Sequence, residues 1–364
     1  MKEMIIESLE LKNYRNYKEL KLPLHPGSNL LYGDNAQGKT NVLEALYLSG
    51  TTKSHKGSKD RELIKFDREE AHIRCQVEKA GMDYRIDMHL RKNKSKGIAI
   101  NGIPIKKAAE LFGILNIIFF SPEDLDIIKR GPSERRRFTD LELCQLDKIY
   151  LHNLTNYNKV LNQRNKLLKT IAYEPQLEDT LPIWDMQLID YSKEIIRRRK
   201  AFMEELNEIA SGVHEKLSGG RETLEVRYEP NVWEEQMEEK LAESLERDKR
   251  QKMTSVGPHR DDICFLANGV DIRKFGSQGQ QRTSALSLKL AEIELVRRRI
   301  KDMPVLLLDD VLSELDSNRQ NYLLNTIGDL QTVITCTGLD EFINNRFEIN
   351  KIYKIVNGSI SQSN

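Results

Sequence analysis

The stretch Gly33-Asp34-Asn35-Ala36-Gln37-Gly38-Lys39-Thr40 matches GxxxxGK[ST], the pattern of a phosphate-binding loop. It follows a predicted strand at 30–32 and opens a predicted helix at 38–48, the setting in which such loops bind phosphate. The glycines allow backbone N–H groups to turn towards phosphate oxygens, and the helix N-terminus adds partial positive charge. We expect Lys39 to reach the β- and γ-phosphates of a nucleotide and the Thr40 hydroxyl to bind Mg²⁺. An accidental match is the alternative, and the flanking strand and helix disfavour it.

A second motif is the apolar segment 305–308 followed by Asp309-Asp310. Open α/β sheets bind ligands at the carboxyl ends of such strands. Asp309 suits the Walker B role of holding Mg²⁺ through water, and Asp310 is placed to orient or deprotonate an attacking water. A strand that ends in an acidic turn is common in proteins, so the functional interpretation depends on the phosphate-binding loop in the same chain.

A third motif, Phe275-Gly276-Ser277-Gln278-Gly279-Gln280-Gln281-Arg282, precedes a predicted helix at 280–300. Its serine and glycines would form a second anion site at a helix N-terminus. Because one phosphate group does not need two such sites, we expect Ser277, Gly279 and Gln280 to serve the nucleotide of a second copy of the protein. Locally, a serine N-cap with a glycine turn explains the segment equally well.

Composition narrows the class of protein. The 364 residues carry 57 Lys+Arg against 56 Asp+Glu, a net charge of +1, which excludes a uniformly basic nucleic-acid binder but not local basic patches. No signal peptide and no segment long enough to span a membrane is apparent. The cysteines are far apart without a CxxC, which indicates reduced thiols and disfavours a structural zinc site. We therefore expect a cytoplasmic protein with no membrane partner.

Hydrophobic periodicity divides the chain into three segments. Residues 1–120 are predicted to be mainly strands, 121–250 mainly helices with a proline-containing break at 172–182, and 251–364 again mixed. We interpret this as an α/β ATPase domain, with the phosphate-binding loop in 1–120 and the signature and Walker B motifs in 251–364, interrupted by a helical insertion domain. About 130 inserted residues with a break allow a short arm and no long coiled coil.

The order of these motifs, with Ser313-Glu314-Leu315-Asp316 after the Walker B strand, resembles the ABC-type ATPase heads of the SMC family. Finer details resemble the RecF family within it, over nearly the whole chain. The stretches that carry this resemblance are Leu11-Lys12-Asn13-Tyr14-Arg15-Asn16-Tyr17, the phosphate-binding loop through Asn41, Phe120-Ser121-Pro122-Glu123-Asp124-Leu125, Gly257-Pro258-His259-Arg260-Asp261-Asp262 and 309–316.

The resemblance implies an SMC/RecF-like P-loop ATPase head with a helical lever domain, ATP and Mg²⁺ as cofactors, and a weak, DNA-stimulated ATPase. It implies an ATP-dependent homodimer with two nucleotides between Walker and signature faces. It also implies binding to single-stranded, double-stranded and gapped DNA, and partnership with RecR, alone or with RecO, in loading recombinase at gaps. Nucleotide contacts are then expected from 33–41, and from Arg15.

The sequence departs from the general ABC pattern at three places, which limits how far the family's properties can be assigned to this chain. Asp310 stands where a glutamate is usual and is one methylene shorter, so slow turnover is expected. No switch histidine follows the strand at 332–336, and Thr335 or Thr337 stands nearby; a hydroxyl can hydrogen-bond a phosphate but cannot carry an imidazolium charge. In ABC-type ATPases a glutamine usually links Mg²⁺ to the two lobes of the head. No such glutamine is obvious in this sequence, and the 120–125 stretch occupies the corresponding region.

Basic runs are the candidates for DNA contact, without any base-reading motif, so binding should be salt-sensitive and largely independent of sequence. For any single run taken alone, a solvated helix face is the favoured explanation of the charges. His259 and Arg260 could either line the dimer face or pair with Asp261 and Asp262. The candidate cations are Lys53, Lys56 and Lys59, then 92–96, Arg135, Arg136 and Arg137, and Arg197, Arg198, Arg199 and Lys200.

Two other functions remain as alternatives. A short SMC-like structural ATPase that tethers DNA would share all three motifs, but the short insertion disfavours a long arm. The ATPase subunit of a membrane transporter would lack the large helical insertion and would normally carry the switch histidine.

Overall fold

The computed structural model describes residues 4–338 and 348–363. They form two compact units: unit 1 consists of Met1–Asp124 and Glu292–Asn364, and unit 2 of Leu125–Ala291. The three-segment domain division remains a prediction. Residues 251–291, predicted with the ATPase segments, belong to unit 2, where strand Asp262–Ala267 pairs with strand Leu224–Glu229.

Strands dominate the first third of the chain, and helices dominate its middle. The strands are β1 (Ile5–Tyr14), β2 (Tyr17–Pro23), β3 (Ser28–Tyr32), β4 (Glu70–Lys79), β5 (Met82–Arg91), β6 (Lys94–Ile100), β7 (Ile103–Pro104), β8 (Ile117–Phe120), β9 (Leu224–Glu229), β10 (Asp262–Ala267), β11 (Val270–Asp271), β12 (Val305–Asp309), β13 (Thr332–Cys336), β14 (Lys351–Val356) and β15 (Ser359–Ser363). The α-helices are α1 (Lys39–Thr51), α2 (Leu125–Lys129), α3 (Pro132–Leu146), α4 (Lys148–Thr170), α5 (Leu181–Ser218), α6 (Met237–Glu243), α7 (Leu245–Gln251), α8 (Ile272–Phe275), α9 (Gln278–Ile300) and α10 (Ser317–Ile327).

One sheet of unit 1 is antiparallel, in the order β2-β1-β4-β5-β6-β7. Its strands alternate between buried apolar and outward polar residues, as in β4, where Ala71, Ile73 and Cys75 are buried and the residues between them are not. Asn101-Gly102, a dipeptide typical of two-residue hairpin turns, connects β6 to β7, and both residues have positive φ.

The second sheet of unit 1 has the order β15-β14-β3-β13-β12-β8, in which β14, β3, β13, β12 and β8 run parallel and β15 is antiparallel. Strands β12 and β13 are buried along their whole length. A continuous apolar run is what a strand covered on both faces requires. The parallel arrangement brings the carboxyl ends of β3, β12 and β13 to one edge.

Helix α1 shares a single apolar core with residues of both sheets of unit 1. It is buried around its circumference, from Val42 through Thr51, including the carboxylate-bearing Glu44. An all-round apolar helix is stable only inside such a core. The start of α1, and therefore the phosphate-binding loop, is fixed by that packing.

Unit 2 is mainly helical. Helices α4 and α5 pack side by side along their length, and the predicted break between them is confirmed, because α4 ends at Thr170 and α5 begins at Leu181. Strands β9, β10 and β11 form a three-stranded antiparallel sheet, with β9 against α5. Helix α5 has 38 residues and is about 57 Å long, so unit 2 carries a short arm and no long coiled coil.

Candidate nucleotide-binding site

The phosphate-binding loop connects β3 to α1 and uses backbone conformations that favour glycine. Gly33 has φ +148° and Gly38 has φ +113°. A Cβ atom at Gly33 would lie 2.4 Å from the carbonyl oxygen of Ile355, and one at Gly38 would lie 2.5 Å from the side-chain nitrogen of Asn16. Both glycines are therefore required by conformation and by space.

Lys39 is folded over the loop that precedes it. Its Nζ donates hydrogen bonds to the carbonyl oxygens of Gly33, at 2.5 Å, and Asp34, at 2.9 Å, and the residue is only 7% exposed. The ammonium group is thus held within the loop that begins the helix, where backbone N–H groups are also available. This combination of donors fits a nucleotide phosphate.

The first hairpin of the chain, β1–β2, supports the loop. The Asn16 side chain donates to the Gln37 carbonyl at 2.8 Å and accepts from Asn41 at 2.9 Å. The Tyr17 hydroxyl donates to the Gly38 carbonyl at 3.0 Å. The sequence predicted no role for Asn16 or Tyr17. Both residues lie in the 11–17 stretch that carries part of the family resemblance, and this was the only indication in the sequence that they contribute to the site.

The last hairpin, β14–β15, supports the same loop from another direction. The backbone N–H of Asn357 donates to Gln37 Oε1 at 2.6 Å, and that of Gly358 donates to the Gln37 carbonyl at 3.2 Å. No pattern in the sequence connected Asn357-Gly358 with the phosphate-binding loop. These contacts join segments 320 residues apart.

Asp309 ends β12 at the edge where the loop lies. Thr40 Oγ1 and Thr335 Oγ1 each donate a hydrogen bond to Asp309 Oδ1, both at 2.8 Å. Burial raises the pKa of the Asp309 carboxyl above its usual value, and the two threonine hydrogen bonds oppose part of this rise. A hydroxyl and a carboxylate together are hard oxygen ligands of the kind Mg²⁺ prefers, so Thr40 and Asp309 fit a magnesium ion bound to nucleotide.

Thr335, one of the two residues near the position of the missing switch histidine, acts on the Walker B residues. It is buried, and its hydroxyl accepts a hydrogen bond from the Asp310 backbone N–H at 3.0 Å. Asp310 itself has φ +54°, a left-handed conformation that is uncommon for a residue with a side chain. Thr337 is exposed. Thr335 therefore positions both carboxylate-bearing residues.

The 120–125 stretch lies beside the Walker B strand. Strand β8 pairs with β12, with Phe120 opposite Leu308, and Glu123 follows directly. The charge of Glu123 raises the pKa of Asp309, whereas the charge of Lys56 lowers it. Lys56 was predicted as a DNA contact, and its charge acts on the nucleotide site.

Arg15 is bound to a carboxylate of α1. Its Nε and Nη2 donate to the two Glu44 oxygens at 2.8 and 2.9 Å, and its remaining donors reach Ser58 Oγ and the Glu62 carbonyl. Burial would raise the pKa of Glu44, but hydrogen bonds from Arg15 and Ser54 lower it, so the carboxylate is ionised. The predicted contact of Arg15 with nucleotide remains a prediction.

The predicted signature segment begins α9 in unit 2. Ser277 Oγ accepts from the Gln280 N–H at 3.2 Å, and Gln280 Oε1 accepts from the Ser277 N–H at 2.9 Å. This reciprocal pair is a capping box, so the N-cap interpretation is correct for the local structure. Ser277 and Gly279 are exposed. Their predicted role towards a second copy remains a prediction.

Two of the predicted DNA-binding arginines are buried, which corrects the expectation that they lie on a surface. Arg135 is 1% exposed and pairs with Asp262, its Nε 2.6 Å from Oδ1. Arg199 is 3% exposed and pairs with Asp140 and Asp261. Buried guanidinium groups are held by carboxylates because an unpaired buried charge is very costly. These two arginines stabilise unit 2.

The other predicted cations differ in exposure. Arg136 donates to the Asp261 carbonyl at 2.7 Å, and Arg197 and Arg198 pair with Glu194. The exposed members are Lys53, Lys56, Lys59, Lys92, Lys94, Arg197 and Lys200, while Lys96, Arg136, Arg137 and Arg198 are half-buried. DNA contact by these residues remains a prediction.

His259 pairs with neither Asp261 nor Asp262, which excludes this pairing for His259; a place on a dimer face remains a prediction. Its Nε2 donates to the Thr254 carbonyl at 3.0 Å, and its Nδ1 accepts from the Tyr157 hydroxyl at 2.5 Å. Burial lowers the pKa of His259 to about 4. Asp261 instead pairs with Arg199, and Asp262 pairs with Arg135. These ion pairs join distant segments, and no local sequence pattern predicted them.

The chain is similar to known proteins over nearly its whole length. The family model described as "RecF/RecN/SMC N terminal domain" matches residues 5–361. The chain is 64% identical over 357 residues to "DNA replication and repair protein RecF" of Agathobacter rectalis, covering 98% of this chain and 99% of that protein. It is 43% identical over 362 residues to the protein of that name from Clostridium botulinum, covering 98% and 99% of the two chains.

Among solved structures, the chain resembles "the recombination mediator protein RecF-ATP in RecFOR pathway" with a TM-score of 0.93, 39% identity, and coverage of 100% of this chain and 98% of that one. It resembles the Smc head domain from Pyrococcus furiosus with a TM-score of 0.58 at 17% identity, covering 99% of this chain and 96% of that one, which shows the fold alone. Within residues 4–338 and 348–363, no helix has both the length and the apolar character needed to cross a membrane.

Proposed function

The chain belongs to the RecF family, within the RecF/RecN/SMC group of ABC-type ATPase heads, and from this membership we propose an ATP-dependent DNA-binding protein of recombinational repair and replication restart. ATP binding drives dimerisation on DNA and helps to load recombinase at single-strand gaps. The protein hydrolyses ATP slowly to ADP and phosphate, with stimulation by DNA.

The observation that carries this proposal is the hydrogen bond between Thr40 of the phosphate-binding loop and Asp309 of the Walker B strand. It brings two predicted Mg²⁺ ligands together beside Lys39, as Mg-ATP requires. Mg²⁺ would neutralise charge on the phosphates. Asp310 would then orient or accept a proton from the attacking water. Because Asp310 is one methylene shorter than the usual glutamate, we expect turnover to be slow.

The exposed N-terminus of α9 supports a shared nucleotide site. Ser277 and Gly279 face solvent, and the first N–H groups of a 23-residue helix attract phosphate. In a homodimer these groups would contact the nucleotide held by the other copy. ATP would then act as part of the interface, and dimerisation would depend on it.

The proposed partners rest on the relatives. The matched solved structures are described as belonging to the RecFOR pathway, and we extend this to a partnership of the present chain with RecR, alone or with RecO. We also propose that the protein acts in the cytoplasm, as the sequence analysis expects. The exposed cations Lys53, Lys59 and Arg197 would contact DNA phosphates. The alternative, a short structural SMC-like tether, is disfavoured because the longest described helix has 38 residues.

Sedimentation measurements with and without Mg-ATP test the proposal. We expect the parent chain to dimerise only with ATP, Lys39→Arg to remain monomeric because it disrupts the phosphate site, and Ser277→Arg to bind ATP without dimerising. Ser95→Arg, at an exposed position on β6, is the matched control and should behave as the parent. ATP-independent monomers throughout, or dimerisation of Ser277→Arg, would contradict the shared-site proposal.

DNA binding is measured on the same proteins. Gapped, single-stranded and duplex substrates are titrated with and without ATP over a series of salt concentrations. We expect ATP to strengthen binding in the parent and not in Lys39→Arg, with affinity falling as salt rises. Binding that is equal in both proteins would support a constitutive tether instead.

A further inference from the structure

A cluster of two histidines and a glutamate lies on the outer face of the antiparallel sheet of unit 1, away from the residues assigned above. His72 of β4 and His89 of β5 are directly opposite in register, and their rings stack with centroids 4.2 Å apart. Glu70 lies two residues before His72, so it shares the same face. The buried residues Ala71 and Ile73 alternate with this cluster, which confirms that its side chains point outward.

Both imidazoles are directed at the same carboxylate. His89 Nε2 is 2.8 Å from Glu70 Oε2, and His72 Nε2 is 3.6 Å from Glu70 Oε1. The three potential ligand atoms all lie within 4.8 Å of one another. In a tetrahedral zinc site, ligand atoms are about 3.3 Å apart, so small side-chain rotations would bring all three around one ion.

We propose that Glu70, His72 and His89 form a binding site for a divalent transition-metal ion of the Zn²⁺ class. Two imidazoles and a carboxylate are ligands that Zn²⁺ favours, whereas Mg²⁺ and Ca²⁺ favour oxygen ligands alone. Three protein ligands leave one coordination position for water. The site differs from the cysteine-based zinc site that the sequence disfavours, because it contains no cysteine.

The surroundings leave the cluster accessible. The side chains of Glu70, His72 and His89 are 53%, 45% and 36% exposed. The residue opposite His89 on the next strand is Gly97, which has no side chain to cover the histidine. Together with His72 and His89, Gly97 lines a groove on this face. The open groove gives a hydrated ion access to the two histidines, and the Glu70 carboxylate is exposed to solvent beside them.

The charges nearby determine the strength of binding. Lys12 lies opposite His72 on β1, and Arg91 lies opposite Glu70 on β5, with its Nη2 donating to the Ser95 carbonyl at 3.0 Å. These cations weaken attraction of a divalent ion. The Glu70 carboxylate, which both imidazoles face, supplies the compensating negative charge. The bound ion would cross-link β4 to β5.

Zn²⁺ titration of the untagged full chain, against a chromophoric chelator and in excess Mg²⁺, tests the proposal. The excess Mg²⁺ occupies the nucleotide site, which keeps that site from contributing. We expect one equivalent of Zn²⁺ to bind to the parent, at least tenfold weaker binding to His72→Ala and His89→Ala, and an intermediate loss for Glu70→Gln. His152→Ala, an exposed histidine on α4 in unit 2, is the matched control and should bind as the parent does.

Thermal melting provides the second readout. Saturating Zn²⁺ should raise the Tm of the parent and of His152→Ala, because a ligand that binds only the folded chain stabilises it, and should leave the Tm of His89→Ala unchanged. The substituted side chains are substantially exposed, so the metal-free variants should fold normally. Equal Zn²⁺ binding in the parent and His89→Ala, or no stoichiometric binding in the parent, would overturn the proposal.

Discussion

Thr40 Oγ1 and Asp309 Oδ1 are joined by a hydrogen bond of 2.8 Å, although the two residues are 269 positions apart in the chain. The bond connects the first helix of unit 1 to the strand that supplies the predicted acidic residues. A second threonine, Thr335, binds the same carboxylate oxygen from the neighbouring strand. The candidate nucleotide site is therefore a single hydrogen-bonded assembly across three elements.

Thr335→Val should destabilise the protein by about 1–2 kcal/mol, because it leaves the Asp310 N–H without a partner and removes one of the two hydrogen bonds to Asp309 Oδ1. It should also slow ATP hydrolysis, since both acidic residues lose their positioning contact. Thr337→Val, at the exposed position two residues on, should change stability by less than about 0.5 kcal/mol. Urea unfolding and a phosphate-release assay measure the two effects. Equal behaviour of the two variants would show that Thr335 has no positioning role.

Asp310→Asn should lower the rate of ATP hydrolysis by about 10²–10⁴-fold, because the amide cannot accept a proton from water. Asparagine tolerates the left-handed backbone of this position, so the fold and ATP affinity should be retained. Single-turnover hydrolysis and fluorescent-nucleotide titration distinguish the two effects. Asp329→Asn, an exposed carboxylate elsewhere in unit 1, should hydrolyse ATP at the parental rate. Undiminished hydrolysis by Asp310→Asn would remove Asp310 from the reaction.

Gly38→Ala should abolish measurable nucleotide binding and destabilise the protein by about 1–3 kcal/mol, because the position has φ +113° and its Cβ would lie 2.5 Å from Asn16. Gly212→Ala provides the contrast. That glycine lies within α5 with nothing within 4 Å of a Cβ, and alanine there should stabilise the helix by about 0.5–1 kcal/mol. Isothermal titration with ATP and urea unfolding measure both. Normal ATP binding by Gly38→Ala would contradict the required loop conformation.

His259 should make the protein less stable in mild acid. Its pKa is about 4 in the folded protein against 6.5 for an ordinary histidine, so the unfolded chain binds more protons between those values. Stability from this group is fully present above pH 6.5 and decreases as the pH falls towards 4, by about 3 kcal/mol in total.

Urea unfolding of the parent and His259→Gln between pH 7.5 and 4.5 isolates this effect from the titration of carboxylates. The difference in unfolding free energy between the two proteins should shift in favour of the variant as the pH falls. A difference that does not change with pH would show that His259 is not buried in its neutral form.

The sequence could predict those parts of the fold that depend on only a few consecutive residues. The strand–loop–helix at 28–51, the apolar strand before Asp309, and the break between α4 and α5 each follow from glycine, proline or hydrophobic spacing within a few residues. Their positions were predicted correctly. The pairing of β10 with β9 was not predicted, because register between distant strands leaves no local pattern.

The same distinction applies to the candidate site. The residue types of the phosphate-binding loop and Walker B strand are sufficient to indicate their chemistry, because each motif lies within a few consecutive residues. Arg135 and Arg199 were assigned to a basic surface because a run of arginines looks the same whether solvated or buried. Their partners, Asp262 and Asp261, lie 127 and 62 positions away. Only the tertiary structure distinguishes the two possibilities.

The contacts that Gln37 makes with Asn357 and Gly358 have a consequence for synthesis of the chain. The phosphate-binding loop leaves the ribosome early, yet the residues that support it follow 320 positions later. At bacterial rates of about 5–20 residues per second, that interval is roughly 15–65 s. During this period the nascent loop lacks its second support. The loop therefore gains this second set of supporting hydrogen bonds only when synthesis reaches the last hairpin of the chain.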